Sequence, residues 1–170
     1  MDKEELQAIQ APIKAKYKAE ATAAKVTLKA HGSIDDTHIA CKVETGRALA
    51  VAGLHPATGG SGLDLCSGDM LLEALVACAG VTLKAVATAI GVTLKSARVE
   101  AEGDLDFRGT LGVDKGAPVG FEAIRLRFIV DTDAPPEVRD TLLRLTERYC
   151  VVLQTLLKKP PIATTLVTTS

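Results

Sequence analysis

Four side chains in this sequence could act as sulfur nucleophiles: Cys41, Cys66, Cys78 and Cys150. They lack the paired C-x-x-C spacing and the neighbouring histidines of a zinc site, so a structural metal is not expected. In a reducing compartment such thiols are either inert small hydrophobes or reactive thiolates, and a structural disulfide is not the default. Reactivity makes two demands. One sulfur must be held as an anion by a cation or by amide dipoles, and a second must lie close enough to trap it once oxidised.

The elements that would position the thiols can be read from periodicity. Residues 1–22 are rich in Ala, Lys, Glu and Gln and predict an N-terminal helical arm, with Pro12 breaking or kinking it. Val26, Leu28 and Ala30 alternate with polar residues, as do Ile39, Cys41 and Val43 after the turn-like Ser33 to Asp36. This predicts a hairpin, with a short third strand over 48–52. A Gly/Pro-rich loop from Leu54 to Gly62 follows, then a helix over about 69–90 with Ser67 or Asp69 as its cap. That helix is apolar nearly all round and is expected at the centre of the fold. Alternation over 98–107 and again over 124–131 predicts two paired strands joined by a glycine-rich turn. Pro135-Pro136 opens a second long helix to about Lys158, and 162–168 reads as a last strand. The expected class is α+β, in one domain spanning 1–170: an antiparallel sheet with two long helices, one of them buried.

Helical geometry then orients the thiols. Glu73 and Lys84 stack on one polar stripe of the central helix, and Cys78 lies roughly 140° from it, turned toward the protein body and expected to be sheltered. On the second helix Val138, Leu142, Leu145, Tyr149, Leu153 and Leu156 form the apolar stripe. Cys150 sits at its border, where a thiol can meet both core and cleft. Cys41 alternates with core residues, and Cys66 precedes the central helix without an identifiable partner. Against any role stands the plain alternative that buried cysteine serves as packing.

Composition excludes other classes. The 170 residues carry 20 basic and 21 acidic side chains spread along the chain, so no basic stripe for nucleic acid or an anionic membrane is expected. The start, Met1-Asp2-Lys3-Glu4-Glu5, is polar and acidic where a secretory signal would be basic and then apolar, which favours a cytoplasmic protein. The run from Met70 to Leu94 is interrupted by Glu73 and Lys84, which suits a globular helix rather than a membrane span.

The segment from Ser67 to Leu83, with Leu71-Leu72 followed by Ala74-Leu75 and then Cys78, resembles the first cysteine helix of the OsmC/Ohr family. Glu147-Arg148-Tyr149-Cys150-Val151-Val152 resembles that family's second helix, whose usual text is Cys-Pro-Val, and Gly59-Gly60-Ser61-Gly62 sits where the family often has Gly-Gly. The resemblance covers about 26–168. It implies an intertwined homodimer with a site at the subunit interface, and a peroxidatic Cys78 resolved by Cys150, with organic hydroperoxide as substrate and a dithiol as reductant. No metal, flavin or nucleotide cofactor is implied. The family's activating Glu corresponds to Gly68 here, so Asp69 is the candidate substitute, with helix capping as its other reading. Arg47 is the candidate cation and His55 a second. The proline after Cys150 is missing, which marks a divergent branch. The leading expectation is a cysteine-based peroxidase; the alternatives are a non-catalytic dimer binding a small apolar ligand and a redox-sensing interaction protein.

Overall fold

The computed structural model describes residues 2–20, 31–34, 40–44 and 49–168. Its organising element is helix α2, Ser67–Ile90. The stretch contains no proline and is dominated by Ala, Leu and Val, so one long helix forms. Cys66 is its N-cap, in extended conformation and with no side-chain capping bond, so neither Ser67 nor Asp69 takes that position. Gly91 stops the helix at φ 75°, a left-handed conformation that glycine adopts without steric cost. The amides of Gly91 and Val92 turn back onto the carbonyls of Thr88 and Ala87, a Schellman closure that satisfies two carbonyls at the helix end.

Two sheets flank this helix. Strands β1 (His31–Ile34), β2 (Ala40–Glu44) and β3 (Leu49–Gly53) pair antiparallel in sequence order, and β4 (Leu65–Cys66) lies parallel to β3. The expected first hairpin and third strand are therefore present. Its Val26–Ala30 half lies outside the described residues. The second sheet pairs β5 (Ser96–Asp104) with β6 (Ala123–Asp131), Ser96 opposite Asp131 and Asp104 opposite Ala123. Val99, Ala101, Ile124, Leu126 and Phe128 pack inward toward α2, while the outer face pairs Arg125 with Glu102 and Asp104, and Arg127 with Glu100. That division is the physical content of the period-two pattern. Phe107, expected to end a strand, instead begins a short helix α3 (Phe107–Thr110), whose first turn is capped by the Asp106 carboxylate accepting from the Arg108 amide.

Helix α1, Lys3–Ala19, runs through Pro12 rather than ending there, and packs on α2. Its start is a capping box in which Asp2 and Glu5 each accept the other's amide. The expected second long helix is in fact two, α4 (Pro136–Tyr149) and α5 (Val151–Lys158). Residues 159–168 form no strand.

The core is built on one stripe of α2: Leu75, Ala79, Leu83, Val86 and Ala87 are buried, at helical spacing. The lower half packs on Leu142 and the upper half on Cys150. Although α2 is long and apolar enough to cross a membrane by composition, it packs on α4, α5 and β5 as the core helix of the fold. Beside the Glu73/Lys84 stripe, α2 also leaves apolar surface open within one chain: Leu71 is exposed and Val81 is 72 % exposed.

Candidate functional site

The site originates in the interruption of the last long helix. Cys150 has φ −72° and ψ 106°, extended rather than helical. Its amide still closes α4 by donating to the Thr146 carbonyl at 3.0 Å, and its carbonyl opens α5 by accepting from Gln154 at 2.9 Å. The amides of Val151, Val152 and Leu153, the first turn of α5, consequently have no acceptor within their own helix. The Glu147 carbonyl, which an unbroken helix would bond to the Val151 amide, accepts from the Gln154 side chain at 2.9 Å.

Cys78 comes up against that turn, packing with Cys150, Val152 and Leu153. Burial pushes the Cys78 thiol up, but the nearby Val152 amide, Cys150 side chain, Val151 amide and Thr82 hydroxyl outweigh it and bring it below its ordinary value. For Cys150 burial again acts upward. The Leu153 and Val152 amides oppose it, the bond to Cys78 and the neighbouring Cys78 charge add to it, and the net direction is up. Cys150 makes no formal capping bond, so those amides act on it from a looser geometry than they would on a true cap acceptor. Both thiols are reduced. The arrangement is a thiol of lowered pKa near backbone amides, beside a buried thiol of raised pKa.

Two expectations about exposure are reversed. Cys78 is half-buried rather than sheltered, because it lies between the buried Leu75/Ala79 stripe and the open flank that carries Leu71 and Val81. Cys150 is fully buried, with no residual exposure, because the extended turn swings it off the border of the α4 stripe and into contact with Leu75 and Ala79.

The other candidates fall elsewhere. Arg47 lies outside the described residues. Asp69 precedes Cys78 by nine positions on one helix, which is about two and a half turns, so it faces the opposite side roughly 13.5 Å away. Asp69 is exposed and lines a separate cleft with His55, Cys66, Phe107 and Phe121. His55 is engaged structurally there. Its ring stacks on Phe107 at 4.8 Å and its Nδ1 accepts the Ala57 amide at 3.0 Å, capping the turn Pro56–Thr58. Among the described residues, no group of three His, Cys, Asp or Glu side chains could hold a metal ion.

Sequence reasoning missed Thr82, the Val151 and Val152 amides, and Gln154. Thr82 was within reach, since it follows Cys78 by one turn and bonds its carbonyl at 2.7 Å. The amides were not, because nothing in the residue types announces the break.

Comparison with known proteins agrees with this architecture. No curated protein matches the chain by sequence. Among solved structures, an OsmC-like protein from Mycoplasma pneumoniae superposes with a TM-score of 0.65 at 14% identity, covering 79% of this chain and 89% of its own. An organic hydroperoxide resistance protein from Legionella pneumophila gives 0.61 at 13% identity, covering 79% and 93%. The organic hydroperoxide resistance protein OhrB of Bacillus subtilis gives 0.52 at 17%, covering 77% and 92%. At these identities the likeness is one of fold. The family described as OsmC-like protein matches residues 60–165, well over half the chain and including both Cys78 and Cys150, and the protein belongs to that family.

Proposed function

We propose that the protein is a thiol-dependent peroxidase that reduces organic hydroperoxides. The observation that carries this reading is the packing of the half-buried Cys78 against Cys150 at the start of α5. The Cys78 thiolate attacks the outer oxygen of the hydroperoxide; the O–O bond breaks, the alkoxide leaves and takes a proton to become the alcohol, and Cys78 becomes a sulfenic acid. Cys150 then attacks that sulfur, forming the disulfide and releasing water, and an external dithiol reduces the disulfide by exchange. The half-buried position of Cys78 allows access, and the raised pKa of Cys150 keeps it protonated until the sulfenic acid forms. Apolar surface at Leu71, Val81 and Val151 favours an organic substrate over hydrogen peroxide.

Two further parts belong to this reading. Arg47 supplies the cation that the described residues do not bring to Cys78. A second copy of the chain covers the open flank of α2, giving a homodimer. The redox cycle suits a reducing compartment such as the cytoplasm.

The test is consumption of cumene hydroperoxide by the purified protein with a dithiol such as dithiothreitol. Wild type should turn over, Cys78→Ser should not, and Cys150→Ser should form a trappable sulfenic acid without completing a cycle. Wild-type activity at the level of Cys78→Ser would sink the reading.

A further inference from the structure

The segment from Thr146 to Gln154 contains neither glycine nor proline, yet its helix is broken at Cys150. Kinks of this kind arise when a side chain inserts into the i→i−4 ladder, and the inserted group here is identifiable. Gln154 Nε2 donates to the Glu147 carbonyl at 2.9 Å, the position that the Val151 amide would take in a continuous helix. The swap has two sides. The carbonyl loses a backbone donor and gains the glutamine, while the Val151 amide is released at the turn where Cys78 packs with Cys150 and Val152.

We propose that Gln154 is a positioning residue for the reactive thiolate: by occupying the Glu147 carbonyl it holds the α4–α5 break open and keeps the Val151 and Val152 amides on Cys78. The proposal deepens the peroxidase reading and rests on Cys78 being the attacking sulfur. Without the glutamine, the Glu147 carbonyl competes for the Val151 amide, Cys150 relaxes toward helical geometry, and the sulfur loses its bed. A proline at 151, as in the Cys-Pro-Val pattern, would enforce a break but could donate nothing. Here the valine donates, and the glutamine does the breaking. Strands β5 and β6 bring the apolar Val99, Ala101, Ile124, Leu126 and Phe128 to this cluster. Among the described residues, the titratable group acting on Cys78 is the Cys150 thiol.

The test measures the pH dependence of Cys78 alkylation by iodoacetamide in the full-length protein, mapped by peptide mass. Gln154→Met keeps length, neutrality and helix propensity but cannot donate. It should raise the Cys78 midpoint and slow alkylation at neutral pH by roughly 2- to 10-fold, the factor carried by one net hydrogen bond. Val151→Pro should also raise the midpoint by deleting the donor; Cys150 already has the extended conformation that a following proline requires. In the double variant the glutamine change should add nothing, because the amide it protects is gone. Backbone NMR gives a second readout, in which Cys150 shifts toward helical values in Gln154→Met even if the variant is less stable. An unchanged midpoint with an unchanged Cys150 backbone, or additive effects in the double variant, would overturn the proposal. Alkylation requires no peroxide, so a protein with a low Cys78 midpoint and no turnover would remove the peroxidase reading and leave the role of Gln154 intact.

Discussion

Cys78 packs against the fully buried Cys150, and the two thiols shift in opposite directions from the ordinary value, Cys78 down and Cys150 up. Cys78 has the Val151 and Val152 amides beside it, whereas Cys150 is fully buried. In the proposed cycle this asymmetry suits Cys78 to attack and Cys150 to wait as the acid. Because they interact, the two ionisations belong to the pair, and Cys78 names the site on which the first negative charge resides.

The first prediction concerns pH. Alkylation of Cys78 should have its midpoint below the value of about 8.5 typical of a free thiol, and Cys150 should react more slowly with a midpoint above it. The linkage signs follow. The lowered pKa of Cys78 adds stability that is fully present above the unfolded thiol value and is lost as pH falls through the folded one. The raised pKa of Cys150 removes stability as pH climbs from the unfolded value toward the folded one. Coincident midpoints in peptide-mapped alkylation would contradict the site as described.

Thr82 offers a smaller test. Its hydroxyl donates to the Cys78 carbonyl at 2.7 Å and also acts on the sulfur. Thr82→Val should raise the Cys78 midpoint and slow its alkylation at neutral pH by roughly 2- to 5-fold, and Thr82→Ser should restore the wild-type profile.

Oxidation should leave a thermodynamic mark. A Cys78–Cys150 disulfide would join α2 to the start of α5 and close most of the second half of the chain into a loop. On loop-closure arguments it stabilises the fold by up to about 4 kcal/mol relative to the reduced protein. Urea unfolding of peroxide-treated and reduced samples should show the higher midpoint in the oxidised one, and Cys150→Ser should abolish the difference.

Packing on the two sides of α2 predicts opposite behaviour. Leu75 is fully buried against Cys150, so Leu75→Ala should cost about 2–5 kcal/mol in chemical denaturation. Val81 is 72 % exposed in one chain, so Val81→Lys should leave the fold of the single chain within about 0.5 kcal/mol. If a second copy covers that flank, the same variant should dissociate in sedimentation velocity while wild type stays dimeric. A monomeric wild type would remove the homodimer from the proposal.

Much of this architecture was legible because it rests on burial periodicity. The alternation around Val99, Ala101, Ile124, Leu126 and Phe128 located β5 and β6 since one face of that ladder must be apolar and the other wet. The composition of residues 67–90 located α2 for the same reason. What sequence could not reveal were features decided by single hydrogen bonds. Asp106 accepts the Arg108 amide and turns the expected strand end at Phe107 into α3. Gln154 holds open a break that helix propensity alone would have closed. Asp69 was chosen for its closeness along the chain to a missing Glu, but rotation through nine helical positions directs it to the His55 cleft. Cys78 lies on its expected helix, whereas Cys150, expected within a continuous helix, is the extended residue between two, and that turn buries it completely.

The end of the chain has a practical consequence. After Pro160-Pro161 the residues run Ile-Ala-Thr-Thr-Leu-Val-Thr, with no charge among them, and Leu166 is 90 % exposed. Uncharged stretches rich in branched residues are the kind that seed cross-β aggregates when left bare. Shelf life in dilute solution should therefore depend on whether this ribbon is masked. Trimming it back to Lys159 should yield a preparation that resists turbidity on warming.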